Sequence, residues 1–211
     1  MMLVLVVILM SVLLVGHRAT AQDATSEAAS SYVSTSNYVY GISVSSLDHV
    51  DFRNLRFFYM PGDASDRGVT LHDGKYRNHY KGGYEEVSLE SVDFLKSWTG
   101  KKETAVVSLH WMDCGGSGTT VGKIQVFALR DGHPTIIQQI EYDRHAAGVS
   151  DSFEPWNGRL IIVGRSNDPS PNCCASRLDV MRFDWNGARF VLKVSKKIPS
   201  IESELESVDP P

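Results

Sequence analysis

The chain repeats one pattern between about Tyr38 and Ile198: a short apolar or alternating run, a turn dipeptide, then another run. Four dipeptides mark the turns, namely Asp73-Gly74, Asp131-Gly132, Asn157-Gly158 and Asn186-Gly187. A two-residue type I′ turn needs positive φ at both central positions, which Asp, Asn and Gly tolerate best. Val69-Thr70-Leu71 precedes the first turn and Lys75-Tyr76 follows it; residues 124–129 are answered by 135–140; residues 160–163 follow the third turn and 190–194 the fourth. Ala105, Val107, Leu109 and Trp111 alternate with Val106, Ser108, His110 and Met112, giving one apolar and one mixed face. Short strands joined by tight turns predict a mainly β fold, an antiparallel sandwich or open barrel of hairpins. One short helix candidate spans residues 88–98, where Val92, Leu95 and Trp98 recur every three positions. Val87, Leu89 and Ser91 alternate there too, so a strand competes. Trp156-Asn157-Gly158 and Trp185-Asn186-Gly187 each precede an apolar run, but two copies are too few for a propeller or solenoid.

The ends differ from this middle. Residues 3–16 are Leu, Val, Ile and Met broken only by Ser11 and closed by Gly16, the length of a signal-peptide core and short of the roughly 20 residues that span a bilayer. Ala19-Thr20-Ala21 supplies a small-x-small cleavage site. Residues 1–21 are therefore expected to be a signal peptide, with an uncleaved anchor as the alternative. Residues 22–37, rich in Ser, Thr and Ala, are expected to be a flexible leader. Residues 38–198 form a single β-rich domain in this reading. Residues 199–211 carry Glu202, Glu204, Glu206 and Asp209 without a base and are expected to be an acidic tail.

Composition narrows the classes. The 211 residues are 42% apolar and carry a formal charge of −4, enough for one domain with a real core. The mild acidity argues against a nucleic-acid partner, which would need a basic face. Export without a second apolar span predicts no stable membrane insertion after cleavage, and an oxidising compartment, periplasmic or extracellular. The basic aromatic stretch of Lys75, Tyr76, Arg77, His79, Tyr80, Lys81 and Tyr84 is read as an exposed hairpin edge, with an acidic polymer or glycan as the competing contact.

Chemistry concentrates around two segments. Asp113 to Thr120 is a Gly-rich turn, Asp-Cys-Gly-Gly-Ser-Gly-Thr-Thr, without the Gly-Lys-Ser/Thr of a phosphate loop. His110, Asp113, Ser117 and Thr119 make it a candidate ligand-contact turn. A hydrolase using these groups is the alternative, although Gly-Gly-Ser-Gly is not a nucleophile elbow and triads are defined by geometry. The second segment, 167–174, is a Pro- and Asn-rich loop ending in Cys173-Cys174. A bond between adjacent cysteines is strained, and in a strand their side chains point apart. The disulfide expected is Cys114 to either Cys173 or Cys174. It would close a loop of about 60 residues and contribute about 3–4 kcal/mol. Thiol-redox chemistry at Cys173/Cys174 is a further alternative, although no C-x-x-C and no adjoining base supports it. Zinc on the cysteines with His110 matches no zinc-ribbon or finger spacing. No cofactor, metal or catalytic residue is expected.

The order Asp51-Phe52-Arg53-Asn54, Val69 to Gly74, Gly115-Gly116-Ser117-Gly118-Thr119 and Asp168-Pro169 before Cys173-Cys174 resembles a group of uncharacterised exported bacterial proteins. They look related to the LppP/LprE-type lipoproteins, and the likeness spans about residues 51–194. Two departures stand out. Lys96, Lys101 and Lys102 occupy the stretch where the group often carries an acidic turn, so no calcium ligand set is expected there. No cysteine sits near the cleavage site, so no lipid anchor is expected. The resemblance implies an exported β domain and brings no activity. The function expected is a secreted non-catalytic binding or interaction module.

Overall fold

The computed structural model describes residues 33–63, 65–95, 102–115, 119–144, 149–165 and 177–199. In chain order its strands are β1 (Val33–Val39), β2 (Arg56–Phe57), β3 (Val69–Thr70), β4 (Lys75–Tyr80), β5 (Gly83–Phe94), β6 (Thr104–Asp113), β7 (Thr119–Arg130), β8 (His133–Asp143), β9 (Ser150–Glu154), β10 (Arg159–Arg165), β11 (Arg177–Trp185) and β12 (Phe190–Pro199). Six of them make an open antiparallel sheet in the order β1-β8-β7-β6-β5-β4. A second sheet runs β12-β11-β10-β9, and β2 pairs with β3 alone. The fold is thus mainly β and antiparallel, as expected, and its sheets stack without closing into a barrel.

The six-stranded sheet is covered on both faces. On one side, residues 40–72 lay Tyr40, Leu47, Phe52, Phe57, Phe58 and Leu71 on Ala105, Val107, Leu109, Phe127 and Ile136. That cover contains two 3₁₀ turns, Leu47–His49 and Phe52–Asn54, and the small β2-β3 ladder. On the other side, Val106, Ile124, Val126, Ile140 and Tyr142 pack on Leu160, Ile162, Met181, Phe183 and Phe190 of the four-stranded sheet. Double coverage explains why β8 is buried along nearly its whole length, polar residues included.

Those polar residues bind the neighbouring layers. Gln138 faces the four-stranded sheet and mimics a strand partner: its Nε2 donates to the Phe190 carbonyl at 2.9 Å and its Oε1 accepts from the Phe190 N–H at 2.8 Å. Gln139, next in the strand, points the other way and donates to the Tyr59 carbonyl in the cover at 2.9 Å. Gln138 thereby satisfies two buried backbone groups that would otherwise cost about 1–3 kcal/mol apiece.

Three expectations are corrected. The helix candidate at residues 88–98 is strand β5 as far as Phe94. The pairing with β6 shifts between Leu89 and Ser91, so Leu89 and Val92 both pack in the same apolar cluster. Residues 96–98 lie outside the described residues. The stretch expected as a leader supplies β1 from Val33 onward, held by main-chain pairing to β8 rather than by apolar content. Of the four turns, Asp73-Gly74 (φ 52° and 81°) and Asp131-Gly132 (51° and 80°) have positive φ at both positions. At Asn157-Gly158 and Asn186-Gly187 only the glycines do. There the Asn side chains accept from Arg159 N–H and from Ala188 and Arg189 N–H, so longer loops form. The two Trp-Asn-Gly segments also differ, because Trp156 is exposed while Trp185 packs 5.2 Å from Phe190. The basic aromatic stretch is the edge strand β4 with its turn into β5, and Arg77 pairs with Glu86 across that hairpin.

Candidate functional site

Strand alternation separates the residues that the sequence brought together. His110 and Asp113 stand on opposite faces of β6. His110 pairs in register with Ser88 and Gly122 and faces the four-stranded sheet, whereas Asp113 pairs with Glu85 and shares a face with Trp111. Ser117, Cys173 and Cys174 lie outside the described residues. Thr119 opens β7 opposite Asp113. Cys114 is half-buried and forms no disulfide among the described residues, with its N–H bonded to the Tyr84 carbonyl at 2.8 Å.

The His110 side holds a polar seam between the sheets. Asp151 of β9 accepts from the Ser108 hydroxyl at 3.2 Å and from the Tyr142 hydroxyl. Tyr142 lies across its register partner Gly122, where a β-carbon would overlap the ring. Arg144 pairs with Glu90 at 2.6 Å beside them. Burial, assisted by Arg144, holds the His110 imidazole below its ordinary pKa of 6.5, while Glu90 and Glu86 oppose that shift. Its Nε2 is buried without a hydrogen bond among the described residues. Ser108 donates to a carboxylate and not to the imidazole, so no nucleophile–base contact is formed here.

The opposite face carries a pocket of about 240 Å³ lined by Tyr59, Glu85, Trp111, Asp113 and Val121. Trp111 and Tyr59 meet edge to face, with centroids 5.5 Å apart. The Trp111 indole N–H donates to Glu85 at 2.8 Å. Asp113 accepts from the Gly115 N–H at 3.0 Å and from the Tyr80 hydroxyl, and that bond pushes the Tyr80 pKa up to about 12.

The Tyr59 wall is fixed from beneath. Lys123 of β7, fully buried, donates to the Tyr59 carbonyl at 3.0 Å and to Glu141 at 2.7 Å. Its ammonium stands 3.5 Å from the Tyr59 ring centroid. Gln125 donates to the Phe58 carbonyl at 2.8 Å and to Gln139 Oε1 at 2.7 Å, and Gln139 reaches the Tyr59 carbonyl and Glu141. Two glutamines and a lysine thus grip two consecutive carbonyls of an otherwise irregular segment, and Glu141 accepts from the lysine and one glutamine behind them. Desolvation holds the Lys123 pKa below its ordinary value, against the pull of Glu141.

Of the residues expected at a ligand-contact turn, Asp113 lines this pocket, whereas His110 stands on the other face of the sheet. Tyr59, Glu85, Trp111 and Val121 escaped sequence reasoning, because cross-strand partners leave no spacing signal. Among the described residues, no group of three or more His, Cys, Asp or Glu side chains is placed to hold a metal. No helix of the described residues is long and apolar enough to cross a membrane. No family model, curated protein or solved structure matches the chain.

Two outcomes follow from this geometry. Lys123→Met leaves Glu141 and the Tyr59 carbonyl without their cation and should lower unfolding stability by about 3 kcal/mol or more. Adding Glu141→Gln should recover part of the loss; urea melts of wild type, single and double variants measure this. For His110, a depressed folded pKa means that the unfolded chain takes up a proton first. This contribution is therefore fully favourable above pH 6.5 and is lost as pH falls below it. His110→Gln should flatten that part of the stability profile, and equal slopes in both proteins would refute the assignment.

Proposed function

We propose that this protein is an exported, non-catalytic binding module whose ligand site is the pocket of Tyr59, Glu85, Trp111, Asp113 and Val121. One observation carries the reading: the pocket wall is held in place before any ligand arrives. Lys123 and Gln139 both bind the Tyr59 carbonyl, which limits the ordering that a ligand must impose. Aromatic walls with a few convergent polar groups are the usual make-up of a recognition site. The separation of His110 from Asp113 speaks against the hydrolase alternative.

A fragment screen by thermal shift tests this reading against Val121→Trp, which fills the pocket. Hits lost in the variant support the module. A screen with no pocket-dependent hit sinks it, as does hydrolysis of ester, glycan or peptide substrates that His110→Ala abolishes.

Export rests on the apolar run and Ala19-Thr20-Ala21, and the resemblance to LppP/LprE-type exported proteins belongs to the same proposal. The Cys114 bond to Cys173 or Cys174 does too. Its support is three cysteines in a chain with an export signal, one of them separated from the adjacent pair by about 60 residues. Non-reducing peptide mapping of the secreted protein should yield a peptide joining Cys114 to one of the pair. Three free thiols in protein recovered with residues 1–21 intact would overturn both parts.

A further inference from the structure

We propose that the pocket takes an organic cation, an ammonium or guanidinium group on a narrow apolar stem; this rests on reading the pocket as the ligand site. Glu85 and Asp113 are direct register partners on β5 and β6, so their carboxylates rise from the same face. Like charges directly opposite one another in a sheet cost stability. Among the described residues their hydrogen-bond donors are neutral: the Trp111 indole for Glu85, the Tyr80 hydroxyl and the Gly115 N–H for Asp113. Among the described residues neither carboxylate has an ion-pair partner, and the nearby Lys123 is engaged by Glu141. A cationic ligand would relieve this repulsion.

The walls suit the same charge. Aromatic faces attract cations, most strongly when water is excluded. The protein already uses this chemistry at the site, since the Lys123 ammonium lies 3.5 Å from the Tyr59 ring centroid and 5.4 Å from that of Trp111. Size sets the rest. At about 240 Å³ the pocket is smaller than sites for drug-sized ligands, and it fits one side-chain-sized group. A neutral sugar could donate to the carboxylates but would leave their mutual repulsion in place. A divalent metal would need more oxygen ligands than these two side chains bring.

The test uses butylammonium and ethylguanidinium, with 1-butanol, N-acetylglucosamine and calcium as comparisons. The Trp111 indole N–H is the reporter, because it donates to Glu85 at the pocket wall. Both cations should shift its NMR resonance saturably, less tightly as salt rises, whereas butanol, the sugar and calcium should not. Glu85→Gln and Asp113→Asn should each weaken cation binding on the order of tenfold. Both variants keep the hydrogen-bonding shape, and a wild-type-like spectrum confirms that they fold. Equal binding of butanol, the sugar or calcium, or unchanged cation binding in both variants, overturns the proposal. Pocket-dependent fragment hits without cation binding sink the cation alone; no pocket-dependent ligand of any class sinks the binding module as well.

Discussion

A sheet buried on both faces cannot leave its polar side chains to water, and that constraint organises this protein. Lys123 shows it most sharply. An isolated buried ammonium would be far too costly, so the chain supplies Glu141, a carbonyl and an aromatic ring around it. The carbonyl belongs to the cover, and the cover thereby gains an anchor. Desolvation of one charge on β7 is what fixes Tyr59, a residue more than sixty positions away in the chain.

The same constraint explains the two adjacent glutamines of β8. Period-two alternation sends Gln138 to one neighbouring layer and Gln139 to the other. Apolar packing would hold either layer against the sheet in many sliding positions, whereas paired amide bonds to Phe190 and to Tyr59 select one. Register between the layers is thus a matter of hydrogen bonds, and area supplies the adhesion.

Much of the architecture was legible in the chain. The alternation at residues 105–112 located β6 and its two unlike faces, and Asp73-Gly74 and Asp131-Gly132 marked true two-residue turns. The misreadings have physical causes. A bulge between Leu89 and Ser91 inserts one residue into a period of two, so the alternation that begins at Val87 does not run on in step to Val92. An edge strand can be polar because its main chain does the pairing, so residues 33–37 looked like leader. The pocket was illegible for a different reason. Glu85 and Asp113 become neighbours only through the pairing of β5 with β6, and Tyr59 joins them only through the anchoring of the cover. Lys123 and Gln125 alternate with Ile124 and Val126 just as residues of a solvated face would. Their burial is a property of the second layer, not of their own segment.

Gly122 shows how little material sets the spacing of the two sheets. The Tyr142 ring occupies the room that its absent side chain leaves, and from there the hydroxyl reaches Asp151 of the opposite sheet. The bare α-carbon works as a gauge block: it fixes how deep the tyrosine sits, and so how far apart the two slabs rest at that end. Whatever lies along the seam, His110 included, inherits a clearance determined by a residue without a side chain.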